Sequence, residues 1–178
     1  SFDHRRAGMK RTPTGRKGGV CAKTRAYPRP AYSFRVIADD RERAVIPLLE
    51  DTGVTVNVER ITTGDYCIMY PNGGMIIIER KTWADLSASI KDHRMKNVRD
   101  LIRAQGEKDA KTMYIVEGRV PKHPSTKIAG IPYKNLRAKL DHLIVRDGMT
   151  VIETVSAKHT ALRVVQIGVN CSTLERYR

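Results

Sequence analysis

Cysteine is scarce and scattered. Cys21, Cys67 and Cys171 are the only three in 178 residues, and none sits in a Cys-x-x-Cys pair. An odd, dispersed set argues against a disulfide framework and a cysteine zinc site, and it suits a reducing, intracellular compartment. The three read as small buried or bystander thiols. Long apolar runs are missing too. The longest, Met75-Ile76-Ile77-Ile78, is strand-sized, far short of the roughly 20 residues that span a bilayer. No apolar stretch follows the basic first residues, so neither a signal peptide nor a membrane partner is expected. His93, His123, His142 and His159 lack metal-ligand spacing and read as solvated or structural. There is no internal repeat and no helicase motif. Acid is short above all: 19 Asp and Glu face 33 Lys and Arg, a net charge of +14 with a pI near 10.0.

What is present suits one domain, or one domain with a tail. Hydrophobic residues make up 40% and charged residues 29%, an ordinary soluble composition with material for a core. The basic excess points to a polyanion, nucleic acid ahead of a membrane surface. Residues 1–33 hold nine bases and one acid, more than half the net charge in under a fifth of the chain. With Gly8, Gly15, Gly18, Gly19, Pro13, Pro28 and Pro30 and no apolar periodicity, this segment reads as a flexible basic arm. Arg5, Arg6, Lys10, Arg11, Arg16 and Lys17 are candidate phosphate contacts; a nuclear address and a plain linker are the other readings.

From Phe34 the pattern is globular. Residues 34–38 read as a buried strand ending at Asp39, 44–50 as a helix with Pro47 in its first turn, and 54–58 as an alternating strand. Strands 66–70 and 75–79 flank Pro71-Asn72-Gly73-Gly74, a strong hairpin signal. Thr82 caps a helix to about Ile90, with Asp85 where a capping box would hold Glu or Gln. Helical spacing follows over 94–105, a strand over 113–117, and a Gly/Pro/Lys-rich loop over 118–130. Pro132 opens a helix with a Leu136, Leu140, Leu143 stripe. Val151-Ile152 is a short strand and 157–169 a last helix. The alternation predicts an α/β fold with a mixed sheet. The globular domain is expected over 34–172, with 173–178 as a C-terminal end.

The hairpin would set Asp65 beside Glu79, with Lys81 two residues on and facing the same way. Two carboxylates there could hold a hard cation such as Mg²⁺, which would polarise a phosphodiester and acidify a water. A nearby ammonium would hold the attacking hydroxide or offset developing charge. Asp, thirteen residues, then Glu-x-Lys is the order used by restriction-type nucleases, though the pattern alone also describes a solvated strand end.

The neighbours carry more. Asp39-Asp40-Arg41-Glu42 follows the first buried strand, and Gly64-Asp65-Tyr66 contains the aspartate. Glu79-Arg80-Lys81-Thr82-Trp83-Ala84-Asp85-Leu86 runs on to Ser89-Ile90 and then Asp92-His93-Arg94. In this order, Asp-x-Arg-Glu, Gly-Asp…Glu-Arg-Lys-x-x-x-Asp and Asp-x-Arg resemble the nuclease domain of the XPF family of structure-specific endonucleases, over roughly residues 34–170.

The resemblance implies a restriction-endonuclease-like core, a central mixed β-sheet flanked by helices. It implies a Mg²⁺- or Mn²⁺-dependent endonuclease acting on branched or flapped DNA, leaving a 5′-phosphate and a 3′-hydroxyl, in DNA repair or recombination. Asp65 and Glu79 match the family's principal metal ligands, Asp39 a further acidic ligand, and Lys81 the catalytic lysine. Arg41, Glu42, Arg80 and Asp85 match supporting residues, which could equally form a structural ion-pair network. Arg94 matches an arginine that reaches the DNA backbone. Family nuclease domains pair, so a homodimer or heterodimer is expected, located in the nucleus in a eukaryotic cell and otherwise in the cytoplasm. Two departures stand out. Met95-Lys96-Asn97 stands where relatives often carry a glutamine, and no tandem helix-hairpin-helix motifs follow before Arg178. The chain therefore reads as a cut-out domain or a compact version. The alternatives are a non-catalytic DNA-binding member, or a phosphodiesterase for RNA or a small nucleotide. Trp83, the sole tryptophan, reads as helix packing before a base-stacking wedge.

Overall fold

The central strands are apolar on both sides because helices cover both faces of one sheet. A computed structural model describes residues 31–107 and 110–178. The expectations on the basic arm up to residue 30, including Arg5, Arg6, Lys10, Arg11, Arg16 and Lys17, lie outside the described residues.

In chain order the elements are β1 (Arg35–Asp39), α1 (Ile46–Asp51), β2 (Thr55–Glu59), β3 (Tyr66–Met69), β4 (Met75–Thr82), α2 (Trp83–Lys91) and α3 (Lys96–Glu107). There follow β5 (Lys111–Glu117), β6 (Lys127–Ile128), β7 (Ile131–Pro132), α4 (Tyr133–Val145), β8 (Thr150–Thr154), α5 (Ala157–Cys171) and a 3-10 turn at Glu175–Tyr177. The six-stranded sheet runs β2-β1-β3-β4-β5-β8. β3 is antiparallel to both β1 and β4, while the β1–β2, β4–β5 and β5–β8 pairs are parallel. This is the mixed sheet expected.

β4 alternates between two cores. Ile76 and Ile78 pack with Leu49, Val164 and Ile167 from α1 and α5. Ile77 packs on the other face with Leu86, Leu101, Leu136 and Leu140 from α2, α3 and α4. Full burial of such aliphatic side chains contributes about 1.5–3 kcal/mol each.

Local signals explain the joints. Pro47 falls in the first turn of α1, where no intrahelical N–H is lost. Thr82 accepts from the Asp85 N–H and caps α2 as expected. Ser156 caps α5 likewise through the His159 N–H. The 118–130 loop is not featureless: β6 and β7 form a small ladder around Ala129 and Gly130, both at positive φ.

The fold also takes in residues expected at its margins. Tyr32 donates from its hydroxyl to the Thr52 carbonyl and packs on Phe34. Tyr177 is buried and stacks on Tyr70 at a centroid distance of 4.4 Å.

Candidate active site

The site begins at a glycine. Gly64 has φ +78, and a β-carbon there would stand 2.6 Å from Ile77 Cγ2 and 3.1 Å from the Ile78 carbonyl oxygen. Only a glycine lets the backbone cross β4 so closely. Its neighbour Asp65 is then fixed by its own N–H, which donates to the Ile78 carbonyl, and by its carbonyl, which accepts from the Asp39 N–H, both at 2.8 Å. The β3–β4 register pairs Tyr66 with Ile78. One step further, Asp65 faces Glu79.

Asp65, Glu79 and Lys81 line one cavity of about 430 Å³ with Arg41, Glu42, Arg80 and Asp85. The structure thus brings together seven of the side chains singled out by sequence. Thr62, Gly64, Lys96, Asn97 and Asp100 complete the lining.

The two central carboxylates share an uncomfortable environment. Burial, above all, pushes Glu79 well above the usual carboxylate range, and the Asp65 charge pushes it further. Burial likewise raises Asp65, with Glu42 and Asp39 adding repulsion. Hydrogen bonds offset only part of this. The Arg80 N–H donates to Asp65 Oδ2 at 2.8 Å, and the Asn97 amide donates to Glu79 Oε1 at 2.7 Å. Asp65 Oδ1 and Glu79 Oε2 have no hydrogen-bond partner among the described residues. Lys81 lowers both carboxyls by its charge, yet makes no ion pair among those residues.

Asp39 sits differently from the expected third ligand. Its side chain is fully buried and its oxygens are occupied by four donors. These are the Arg41 N–H, Nε and Nη2 and the Ile61 N–H, at 2.7–2.9 Å. The Arg41 side chain is the main reason its carboxyl lies far below the ordinary range. Asp39 is not in the cavity lining, whereas Arg41, with 61% of its side chain exposed, stands at the rim. Among the described residues no group of three or more His, Cys, Asp and Glu stands ready to hold one metal.

Arg80 is the hub of a buried network. Its Nε and Nη2 donate to both Glu117 oxygens at 2.9 and 2.6 Å, and Nη1 donates to Glu42 at 3.1 Å. Tyr66 donates to Glu42, and Thr160 to Glu117. Burial alone would raise Glu117, but the bonds from Arg80 and Thr160 outweigh it and leave its carboxyl below normal. Asp85 lines the cavity with no side-chain hydrogen bond among the described residues. Arg94 is exposed before α3 and is not part of the lining. Trp83 is only 3% exposed, packed edge-on against Tyr133 with the Arg137 guanidinium 5.8 Å away, so it packs a helix.

Sequence reasoning missed Asn97 and Glu117. Asn97 lay within the Met95-Lys96-Asn97 stretch that departs from the family, and its amide is what reaches Glu79. Glu117 ends β5 in a Glu-Gly step, a carboxylate at a strand terminus beside the site; that position was the available signal.

A buried and a partly buried carboxylate repelling each other, with oxygens to spare and an ammonium alongside that is unpaired among the described residues, form a set suited to a hard divalent cation and a phosphodiester.

Comparisons with known proteins bear on this arrangement. The family model described as the ERCC4 domain matches residues 38–167. The ERCC4 domain-containing protein EP364R of a Namibian warthog isolate of African swine fever virus is 32% identical over 147 residues, covering 75% of this chain and 40% of that protein. Its counterpart in the Badajoz strain is 31% identical over 148 residues, covering 75% and 41%. The chain therefore spans about two fifths of the length of the curated relatives it matches. Among solved structures, XPF from Aeropyrum pernix in complex with DNA superposes with a TM-score of 0.62 at 28% identity, covering 78% of this chain and 65% of that one. A second structure of XPF from Aeropyrum pernix gives 0.61 at 27% identity, covering 79% and 66%.

Proposed function

Because the chain belongs to the ERCC4 domain family and has the restriction-endonuclease-like core of the XPF nuclease domain, we propose that it is a metal-dependent endodeoxyribonuclease that hydrolyses phosphodiester bonds in branched or flapped DNA. The observation that carries this reading is the meeting of Asp65, Glu79 and Lys81 in one polar cavity. The mutual repulsion that raises both carboxyls is what a bound cation would offset.

Asp65 and Glu79 would hold Mg²⁺ or Mn²⁺ through the oxygens that Arg80 and Asn97 leave open. The ion supplies there a charge that polarises the scissile phosphate and lowers the pKa of water. The chain's own groups do the rest. Lys81, close to both carboxylates, presents its ammonium to the attacking oxygen or to charge developing on the phosphoryl group. Arg41, held at the rim by Asp39, is placed to grip a neighbouring phosphate. Asp39 acts in this reading by orienting Arg41, not as a ligand. Arg80 locks the backbone between Glu79 and Lys81 and donates its N–H to Asp65. Cleavage on this reading leaves a 5′-phosphate and a 3′-hydroxyl.

The substrate class is supported by the net charge of +14 and by the DNA seen with the Aeropyrum pernix protein. Pairing with a second nuclease domain is supported by exposed apolar residues on α4 and α5, Ile144, Val145, Leu162 and Val169. We place the protein where DNA is, in the nucleus of a eukaryotic cell and otherwise in the cytoplasm.

The test is cleavage of labelled flap, fork, four-way-junction and plain duplex DNA in Mg²⁺, Mn²⁺ or EDTA, with Asp65→Ala and Glu79→Ala alongside. Metal-dependent cutting of branched DNA, lost in both variants, is expected. Binding without cutting under every condition would instead favour a non-catalytic DNA-binding member.

A further inference from the structure

Tyr114 lies directly across from Glu79 in the parallel β4–β5 ladder. Paired residues on adjacent strands stand on the same face of the sheet, about 5 Å apart. Tyr114 is completely buried, packed in the core that holds Trp83, Leu86, Val98 and Leu101. Its hydroxyl is a buried polar group with no hydrogen-bond partner among the described residues. Such orphans are few in folded proteins, and each wants an explanation. Here three carboxylates exert their charge on it. After burial itself, Glu79, Asp65 and Asp85 in that order act on the phenol and drive its ionisation upward, so it stays a protonated donor at neutral pH.

The unmatched donor thus stands on the strand position paired with a carboxylate that has an oxygen to spare. Glu79 Oε1 is taken by Asn97, while Oε2 has no partner among the described residues, and no direct bond joins it to Tyr114. We propose that Tyr114 is a positioning residue for Glu79: its hydroxyl donates to one buried water, and that water donates to the Glu79 carboxylate. Glu79 is then held from two elements, by Asn97 on α3 and by Tyr114 on β5. Groups that orient a ligating carboxylate commonly matter nearly as much as the carboxylate. The inference rests on the metal-dependent reading above, since the value of fixing Glu79 lies in presenting its oxygen to the ion.

Tyr114→Phe removes only the hydroxyl and keeps the ring. In the full chain we expect its affinity for Mn²⁺, measured by calorimetry and electron paramagnetic resonance, to fall about tenfold. The melting temperature in EDTA should stay that of wild type. Flap cleavage at limiting Mn²⁺ should lose kcat, recover at high Mn²⁺, and keep its KM for DNA. Wild-type Mn²⁺ affinity in Tyr114→Phe would overturn the assignment while leaving the nuclease reading intact. A wild-type protein that binds no Mn²⁺ would sink both. A second measurement leaves the hydroxyl in place, should the variant fold poorly. With 3-fluorotyrosine incorporated, the Tyr114 fluorine resonance should move on Mg²⁺ titration, in step with metal binding; an unmoved resonance also overturns the proposal.

Discussion

Glu79 carries a charge that its surroundings oppose. It is 4% exposed and sits beside Asp65, and both carboxyls are raised above their ordinary values. For a group raised in the folded state, stability is fully present below the unfolded value and is lost as pH rises through the folded one. Without metal, the protein should therefore lose stability as pH rises from about 4 to about 8, the value to which Glu79 is pushed, and Mg²⁺ should restore it at the alkaline end. Urea midpoints in EDTA and in Mg²⁺ check this; stability that climbs with pH in EDTA would refute the reading of the pair. Glu79→Gln should then abolish cleavage yet raise the melting temperature in EDTA at pH 8 by about 2–4 °C, the shift expected for about 1 kcal/mol in a chain this size. Asp39 has the opposite sign. Its lowered carboxyl contributes stability above the unfolded value of about 4, which is lost on acidification below it. Gly64 is the other residue with a sharp expectation. Gly64→Ala meets both a positive φ and Ile77 at 2.6 Å. It should cost about 1–3 kcal/mol and lower cleavage by displacing Asp65, as urea unfolding and flap assays would show.

Between elements, Arg80 matters most. One guanidinium ties β4 to the end of β5 through Glu117, to the segment after β1 through Glu42, and through Glu117 to Thr160 on α5. Only 16% of its side chain is exposed, so removing it strands two carboxylates away from water. Arg80→Ala should destabilise by about 3–5 kcal/mol, and Arg80→Lys should recover part of this without the two-pronged contact. Chemical denaturation of both measures it; a loss under 1 kcal/mol would mean the network is dispensable. How much of this was legible in the sequence follows from range. The hairpin was readable because Asn72, Gly73 and Gly74 announce the turn and alternation announces the strands. The Asp65, Glu79, Lys81 set was readable because the hairpin register fixes it locally. β4, expected to end at Glu79, runs to Thr82 because β5, more than thirty residues on, pairs with it up to Thr82–Glu117. Asn97 and Glu117 were invisible as partners for the same reason: their bonds depend on where α3 and β5 come to rest.

For the whole molecule the question is how its charge is divided. Residues 1–30 carry nine bases and one acid, +8 of the +14, while the described residues lining the cavity with Asp65, Glu79 and Lys81 all lie within 31–178. Affinity for DNA and chemistry on DNA should then separate when the chain is shortened. Each phosphate neutralised releases counterions and steepens the fall of log K with log salt by about 0.9. If the basic segment tracks the backbone, a protein of residues 31–178 should bind flap DNA more weakly at low salt and show a slope shallower by several such steps. Its kcat at saturating DNA should stay near that of the full chain, because every described residue of the cavity lining is kept. Fluorescence anisotropy from about 50 to 200 mM salt, beside single-turnover cleavage, reads both quantities at once. Equal slopes would mean the segment does not touch DNA, and the remaining excess of +6 would have to guide the substrate alone. A lost kcat with an unchanged slope would mean residues 1–30 take part in building the site, and the division drawn at residue 31 would fail.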